Sequence, residues 1–487
     1  MTTSIERANY RVTFAVLLLG VSAYALLQSL VLPVLPTIQH NLHTSQSTVT
    51  WVLTVYLLSA SIFTPILGRV GDMVGKERML VATLSALALG SLLAGLSQSI
   101  GMLIVARAIQ GIGGAVLPLS FGIIRDEFPA GKVTAGVGII AAMTAVGGGA
   151  GIVLAGPIVS HLDYHWLFWI PMVITVIAAV CAQLFVPESP VRTPGRISWL
   201  AAVLLSGWLV ALLVAVSEAP AWGWGSARVI GLIALAVMLG VVWVRVELRA
   251  REPLIDMHMM RIPAVWTNNL VAFLFGVGMY SVMAFLPEFL QTPRSNGYGF
   301  GATIIQSGLF LLPLTVAMFI FGLLSGRVAA WIGSKAAVIV GSAFSCCGYL
   351  ILAFAHTQAW QIYSASTLLG VGLGLAFSAM SNLIVQAVPP EQTGVASGMN
   401  ANIRTIGGAV GAAVMSSIVT SVLVSNGLPA EAGYTRGFAF LAAVTVLAIV
   451  AAVFIPTATA TAADTDRQPH LRNAELALVP GGTIAEG

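Results

Sequence analysis

Long runs of apolar residues fill most of the chain, separated by short stretches of charged residues, prolines and polar residues. A membrane-spanning helix needs about 20 predominantly apolar residues, and fourteen runs are of comparable length. The pattern therefore predicts an all-α polytopic membrane protein with fourteen transmembrane helices. The predicted spans are 12–35, 50–68, 79–98, 101–123, 133–157, 166–187, 198–217, 227–244, 263–287, 303–326, 336–355, 360–385, 396–424 and 436–456.

The composition agrees with this interpretation and excludes several classes of protein. Of the 487 residues, 58% are hydrophobic and 8% are charged, whereas a soluble domain has roughly 25% charged residues. The three cysteines lie inside apolar runs, so neither a disulfide framework nor a metal site is predicted. Nothing resembles a P-loop, which favours an ion gradient over ATP as the energy source. We predict no cofactor and no enzymatic activity.

The basic residues predict the orientation of the chain in the membrane. With the N-terminus in the cytoplasm, 17 of the 22 Lys and Arg residues fall in cytoplasmic segments and 3 in outer loops. Lys and Arg favour cytoplasmic loops, so we expect a multi-pass protein of the plasma membrane with both termini inside. The remaining two, Arg107 and Arg404, lie within predicted spans. The first run is interpreted as a span rather than a cleavable signal peptide.

Two loop motifs recur at nearly the same distance along the chain. The frame Gly68–Gly75 recurs at Gly326–Gly333, and Phe128–Gly138 recurs at Val388–Gly398, which are offsets of 258 and 260 residues. Such a repeat predicts duplicated halves with a substrate site between them. The predicted units are a six-helix half at 1–190, a two-helix insert at 191–261, a second six-helix half at 262–456 and a disordered cytoplasmic tail at 457–487.

Three segments carry a resemblance to a known family: the loop Gly68–Arg78 after span two, Arg107–Gly114 in span four, and Gly156 with Pro157 at the end of span five. They resemble the signature loop, the proton-transfer motif and, less closely, the antiporter motif of the fourteen-span drug:proton antiporter branch of the major facilitator superfamily. The resemblance covers about residues 12–456. It implies two pseudo-symmetric six-helix halves plus two linker helices, and proton-coupled efflux of amphipathic drug-like compounds that confers antibiotic resistance.

The loop after span two is a predicted conformational motif. Gly68, Gly71 and Gly75 are expected to allow a tight turn and close helix approach. Asp72, with Arg78 nearby, is expected to follow the end of span two and to lock the cytoplasmic side, with the start of a span-eleven helix as a possible partner. The alternative is a solvated turn. Gly111, Gly156 and Pro157 complete the motif set.

Arg107 lies about six residues inside span four, where a charge costs at least about 2.5 kcal/mol. We predict that Arg107 controls a proton-carrying carboxylate or contacts the substrate, and that Gln110 orients it. The alternative is that it extends to the outer headgroups. The antiporter branch usually has an acid in span one, but that position is Leu27 here. A carboxylate partner would therefore come from another span.

Glu288 is the only carboxylate embedded in a largely apolar span, and a desolvated carboxyl group suits a proton carrier. The alternative is a glutamate at the outer end of the span that reaches water. Asp126 and Glu127, which follow span four, are expected to form a solvated cluster of salt bridges with Arg125 and Lys132.

Polar and aromatic residues within spans are predicted to line a substrate cavity. These residues are Tyr24, Gln28, Tyr56, Asn268, Tyr280 and Arg404. The alternative is packing or interface anchoring for the aromatic residues, and extension toward the cytoplasm for Arg404.

Three functions fit the sequence. The first is proton-coupled drug efflux, and the second is transport of a specific metabolite by the same fold, possibly an anion neutralised by Arg107 or Arg404. The third is a non-transporting membrane protein. The predicted partners are the lipid bilayer, a small-molecule substrate and protons, with no nucleic acid, and the predicted state is a monomer.

Overall fold

The helices follow the predicted spans. The computed structural model describes residues 10–188, 198–250, 253–388, 393–423 and 428–456, so the predicted tail at 457–487 lies outside the described residues. In these ranges, thirteen helices are long and apolar enough to cross a membrane, and a further helix of 32 residues covers the fifth predicted span. The all-α polytopic fold is therefore confirmed.

The long helices are numbered in chain order. They are α1 (Tyr10–Asn41, with a 3₁₀ turn at Leu32–Val34), α2 (Gln46–Val74), α3 (Lys76–Gly95), α4 (Ile100–Glu127), α5 (Ala130–His161), α6 (Trp166–Phe185), α7 (Trp199–Trp222), α8 (Ala227–Arg249), α9 (Pro263–Gln291), α10 (Ile304–Ile332), α11 (Ser334–Phe354), α12 (Ala359–Ala387), α13 (Thr393–Val419) and α14 (Glu431–Val453). We call the face of the bundle where α1 begins the proximal face and the opposite one the distal face.

Helices α1–α6 and α9–α14 pack in corresponding pairs. In the first set α1 packs on α5 and α6, α2 on α4, and α3 on α6. In the second set α9 packs on α13 and α14, α10 on α12, and α11 on α14. Each pair of the second set therefore stands eight helices after a pair of the first. Helices α7 and α8 pack on each other, and α7 also contacts α2 and α13.

The two sets meet mainly where α2 packs on α13 and α5 on α10. Gly156 makes the second contact close, because a Cβ atom at this position would lie 2.7 Å from the Cα of Ile305. Pro157 follows inside the same helix. Gly156 therefore permits the close approach of α5 and α10.

Helix α2 is longer than its predicted span, 50–68, because it continues to Val74. Counting apolar residues marks the part that lies in the membrane, whereas the backbone remains helical through the more polar end. Gly75 stops the helix with φ of 131°, a conformation that residues with a side chain rarely adopt.

Helix α4 is interrupted by a 3₁₀ segment, Ile112–Ala115, between Ile100–Gly111 and Val116–Glu127. A Cβ atom on Gly111 would lie 2.6 Å from the carbonyl oxygen of Tyr56 on α2. The glycine thus permits the close packing of α4 on α2.

Candidate functional site

Arg107 is fully buried among the first six helices and is held by neutral groups. Its Nε donates to the carbonyl oxygen of Val52 at 3.0 Å, and Nη1 donates to Gln110 Oε1 at 2.7 Å and to the carbonyl oxygen of Leu27 at 3.4 Å. The guanidinium also lies over the ring of Tyr56, 4.0 Å from its centroid. Arg107 therefore does not extend to the headgroups, and the predicted contact with Gln110 is confirmed.

The first span contains no acid, and a backbone carbonyl group faces Arg107 instead. Leu27 occupies the position where the antiporter branch usually has an acid, and its backbone carbonyl faces Arg107 Nη1. Gln110 is fixed in turn, because its Nε2 donates to Ser91 Oγ at 3.0 Å. Within the described residues, no carboxylate pairs with Arg107. Arg107 was predicted to control a proton-carrying carboxylate, and this structure shows no direct contact of that kind.

Five of the six predicted cavity residues gather with Arg107 at the middle of the bundle. The rings of Tyr24 and Tyr56 stack with centroids 6.3 Å apart, and Gln28 Nε2 donates to Tyr280 Oη at 2.9 Å, which joins α1 to α9. Arg404 on α13 lies within electrostatic range of Tyr24 and Tyr280. We call this group the central cluster: Tyr24, Gln28, Tyr56, Arg107, Tyr280 and Arg404.

Asn268 is not part of the central cluster, so this prediction is wrong. Its Nδ2 donates to the carbonyl oxygen of Met380 at 2.8 Å, and the side chain is buried between α9 and α12. Asn268 precedes Tyr280 by twelve residues on one helix, which corresponds to about 18 Å along the axis. A polar residue in a span can serve packing as well as a cavity, and the sequence does not separate the two.

Glu288 lies near the distal end of α9 and is 9% exposed. Tyr434 Oη donates to Oε1 at 2.5 Å, and Gln46 Nε2 donates to Oε2 at 2.6 Å. Glu288 is therefore not a glutamate that reaches water, and it connects α9 with α14 and with α2. Gln46 and Tyr434 were missed by the sequence, because they stand 242 and 146 positions away.

Aromatic side chains pack around Phe289, the residue that follows Glu288. The ring of Phe289 has the rings of Tyr298, His356 and Tyr434 at centroid distances of 5.8, 5.1 and 5.4 Å. Tyr298, which lies outside the spans, donates a hydrogen bond to the carbonyl oxygen of Pro429. Burial raises the pKa of Tyr298 to about 12, so its hydroxyl stays protonated and keeps donating at neutral pH.

A second group of charges lies at the proximal face. Lys76 Nζ is 2.6 Å from Asp126 Oδ2 and 3.4 Å from Asp72 Oδ1, and the side chains of Lys76 and Asp126 are each 4% exposed. We call these three residues the proximal ion cluster. The predicted salt bridge of Asp126 with Arg125 is present, with Arg125 Nε 3.2 Å from Asp126 Oδ1, but the prediction that Asp126 is solvated is wrong, because its side chain is buried against Lys76. Lys76 was missed, although it stands directly after Gly75 in the motif.

Asp72 and Arg78 do not act as a pair in this structure. Asp72 lies inside α2 rather than after its end, and Arg78 is 63% exposed with its Nε 3.4 Å from Glu188 Oε2. The suggested partner helix, α11, packs on α12 and α14. The ion pair of Asp72 is with Lys76, one turn further along the chain. The predictions of an Asp72–Arg78 neighbourhood and of a partner on α11 are thus corrected.

The three glycines of the motif differ in their surroundings. A Cβ atom on Gly71 would lie 2.5 Å from the side chain of Leu119 on α4, so this glycine does permit close approach. Gly75 supplies the turn. Gly68 lies within α2, where an added Cβ would have no neighbour within 4 Å, so neither role applies to it.

A family model described as "Major Facilitator Superfamily" matches residues 17–412. The chain belongs to the major facilitator superfamily. Its relatives include the "Tetracenomycin C resistance and export protein" of Streptomyces glaucescens, which is 30% identical over 84% of this chain and 76% of the relative. The "Uridine/deoxyuridine transporter" of Lactococcus lactis is 26% identical over 90% of this chain and 93% of the relative.

Solved structures agree on the fold of this major facilitator superfamily member. The crystal structure of the human organic anion transporter MFSD10 (TETRAN) superimposes with a TM-score of 0.65 at 16% identity, over 91% of this chain and 99% of that one. At this identity the likeness concerns the fold alone. The chain is thus a multi-pass membrane transporter with the predicted superfamily fold.

The site of this superfamily member contains no group suited to a metal in the part that the structure describes, where no three His, Cys, Asp or Glu residues cluster. Its chemistry lies in charges and hydrogen bonds. Two guanidinium groups face the middle of the bundle, a carboxyl group with neutral partners lies near the distal face, and a buried ion pair lies near the proximal face.

Proposed function

We propose that the chain is a secondary active transporter that exports amphipathic, drug-like compounds in exchange for protons. Two six-helix halves, 1–190 and 262–456, alternate around the central cluster, with the insert 191–261 beside them. The membrane is the plasma membrane, with both termini in the cytoplasm and the protein acting as a monomer of the fourteen-span branch. Support comes from the helix pairing of α1–α6, which α9–α14 repeat, and from the relative that is named as a resistance and export protein.

The observation that carries proton coupling is the setting of Glu288. Its partners are a hydroxyl group and an amide group, and both can serve as hydrogen-bond donors or acceptors. The same two partners therefore accommodate the ionised and the protonated carboxyl group. Because Gln46 lies in the first set of helices and Tyr434 in the second, a change of charge at Glu288 alters a contact between the sets.

The proximal ion cluster and the motif glycines are the proposed conformational elements of this cycle. Lys76 ties Asp72 on α2 to Asp126 on α4, so the first half moves as a unit at its proximal end. Arg107 is proposed to fix the geometry of the central cluster, because its guanidinium connects α1, α2 and α4.

The test is uptake of a fluorescent amphipathic dye into inverted membrane vesicles with an acidic interior. Wild type is expected to accumulate the dye only while the pH gradient lasts. Glu288→Gln is expected to lose gradient-driven uptake and to keep exchange of dye for dye, because the amide fits the same partners. Glu218→Gln is the matched control, since Glu218 also lies near the distal end of a helix and accepts from the neutral Trp51 Nε1 at 3.3 Å.

Two results would overturn the proposal. Uptake by Glu288→Gln at the wild-type rate would remove Glu288 as the proton carrier. No gradient-driven uptake of any amphipathic dye by wild type would overturn drug efflux itself.

A second candidate is transport of one specific metabolite by the same fold. The relative named as a uridine/deoxyuridine transporter, aligned over 90% of this chain, favours it, as does the lack of a carboxylate in the central cluster. Under this alternative, a single metabolite blocks its own labelled uptake at low concentration while unrelated amphipathic dyes have no effect. Competition among many unrelated dyes supports the first candidate.

A further inference from the structure

The two arginines of the central cluster differ in how far the protein satisfies their charge. Arg107 has acceptors for Nε and Nη1 and a tyrosine ring against its face. Arg404 contacts the ring of Phe377, 4.7 Å from its centroid, and has no hydrogen bond or ion pair to any residue that the structure describes. Arg404 thus carries five N–H donors with no acceptor among the residues that the structure describes.

This difference is large in energetic terms. A charge at the middle of a membrane is costly unless a partner or water compensates it. Arg404 is half-buried, so its side chain is not completely enclosed by packed side chains. Arg107 has one remaining donor, Nη2, which is buried without an acceptor in the described part of the chain. The unsatisfied donors in the cluster therefore belong mainly to Arg404.

The surroundings of Arg404 are aromatic and lack negative charge. The ring of Phe377 lies 4.7 Å from the Arg404 guanidinium, Tyr24 and Tyr280 lie within electrostatic range of it, and the cluster itself contains no carboxylate. Glu288 follows Tyr280 by eight residues on α9, about 12 Å along the helix axis, and it is occupied by its own two donors. A cationic ligand would therefore meet like charge, whereas an anionic ligand would meet free donors.

We infer that the central cluster binds planar aromatic anions, with the acidic group of the ligand on the guanidinium of Arg404 and its ring against Tyr24, Tyr280 and Phe377. The inference names the substrate class of the proposed transporter and so rests on that function. A guanidinium binds a carboxylate through two parallel hydrogen bonds, and aromatic rings favour stacked or edge-on contact with other rings. Arg107 is a positioning residue that holds Tyr56 and the first half in place.

The test compares two dyes that share a xanthene frame and differ in charge: fluorescein, an anion, and a rhodamine cation. Binding to the full-length protein in lipid nanodiscs is measured by fluorescence anisotropy without any gradient. Wild type is expected to bind fluorescein at least tenfold more tightly than the rhodamine. Arg404→Gln is expected to weaken fluorescein binding at least tenfold and to leave rhodamine binding the same or tighter, while Arg404→Lys retains part of the preference.

The matched control is Arg436→Gln, which removes the same charge from an exposed position on α14 and is expected to leave both affinities unchanged. The inference is overturned if wild type prefers the rhodamine, or if Arg404→Gln binds fluorescein as wild type does. Arg404→Lys guards against misfolding, because a variant that folds and keeps the charge must keep part of the preference.

Failure of this inference and failure of the proposed function give different results. Glu288→Gln is expected to bind fluorescein normally, since binding needs no proton flux. Fluorescein binding that depends on Arg404, without gradient-driven transport by wild type, would support the inference and overturn proton-coupled efflux. Gradient-driven transport of the rhodamine with no effect of Arg404→Gln on binding would support proton-coupled efflux and overturn the inference.

Discussion

Two buried carboxyl groups at opposite ends of the bundle have different partners. Asp126, 4% exposed at its side chain, lies 2.6 Å from the ammonium group of Lys76. Glu288, 9% exposed, accepts hydrogen bonds from the neutral groups of Tyr434 and Gln46. A nearby cation favours the ionised carboxylate, whereas neutral donors that can also accept permit either state. Burial alone therefore does not identify a proton carrier. The charge of the hydrogen-bond partner determines whether the carboxyl group can be protonated.

The two carboxyl groups also differ in what they connect. Asp126 and Lys76 join α4 to α3 within the first set of helices. Glu288 joins α9 to α2 across the two sets. Only the second contact changes when the sets move relative to one another, so only the second can couple such a movement to protonation.

The largest expected effect is on the ion pair. Lys76→Met removes the cation that faces Asp126 and Asp72 and leaves Arg125, 31% exposed, as the remaining cation beside Asp126. Removing one partner of a fully buried pair costs about 3–5 kcal/mol, and the contact with Arg125 places the expected loss at the low end, about 3 kcal/mol. We expect the free energy of unfolding in detergent to fall by that amount, and the double variant Lys76→Met with Asp126→Leu to recover most of it. Lys132→Met, at an exposed lysine that contacts Tyr10, serves as the control. A loss no larger than that of the control would contradict the description of a buried pair.

A smaller effect is expected at the distal carboxyl group. Tyr434→Phe removes the hydroxyl that donates to Glu288 Oε1 at 2.5 Å, and a hydrogen bond to a charged group contributes about 1.5–3 kcal/mol. Thermal unfolding of the purified variant should show a loss in this range. Tyr363→Phe is the matched control, because Tyr363 is exposed and its hydroxyl has no hydrogen-bond partner within the described ranges. Equal stability of the two variants would contradict a stabilising hydrogen bond between Tyr434 and Glu288.

The packing of α4 on α2 at the middle of the bundle gives a third measurement. Gly111→Ala on α4 places a Cβ atom 2.6 Å from the carbonyl oxygen of Tyr56 on α2, and such overpacking costs about 1–3 kcal/mol. Gly101→Ala on the same helix meets nothing within 4 Å and should be neutral or stabilising by up to about 1 kcal/mol. Unfolding in detergent compares the two, and a similar response would mean that α4 and α2 are not in close contact.

The smallest expected change in stability is at Glu288 itself. Glu288→Gln keeps a donor and an acceptor for Gln46 and Tyr434, so the free energy of unfolding should change by no more than about 1 kcal/mol. The same carboxyl-to-amide change at Asp126 should cost more, because Lys76 loses its closest counter-charge. Thermal unfolding of the two variants side by side checks the comparison, and equal losses would end the distinction drawn between the two carboxyl groups.

The sequence predicts the fold because apolar runs of span length are a direct physical signal. All fourteen predicted spans coincide with helices, and the main difference lies at the polar end of α2, where helix and membrane do not end together. The central cluster was largely predictable too, since Tyr24, Gln28 and Tyr280 are polar in apolar surroundings. Asn268 shows the limit of that rule, because it satisfies a backbone carbonyl instead.

The partners of the charged residues were not predictable. Nothing local in the sequence links Glu288 to Gln46 or Tyr434, because these contacts depend on how distant helices are arranged. The charges around Asp126 look the same in sequence whether they face water or each other. Only the packing of α3 on α4 buries Lys76 against Asp126.

The 3₁₀ segment Ile112–Ala115 gives α4 uneven stiffness along its length. Hydrogen bonds in a 3₁₀ turn have poorer geometry than those of an α-helix. This segment should therefore resist bending less than the α-helical segments on either side. Arg107 lies on the α-helical segment before it and Asp126 on the segment after it. We therefore expect α4 to bend more readily at Ile112–Ala115 than in the two α-helical segments on either side.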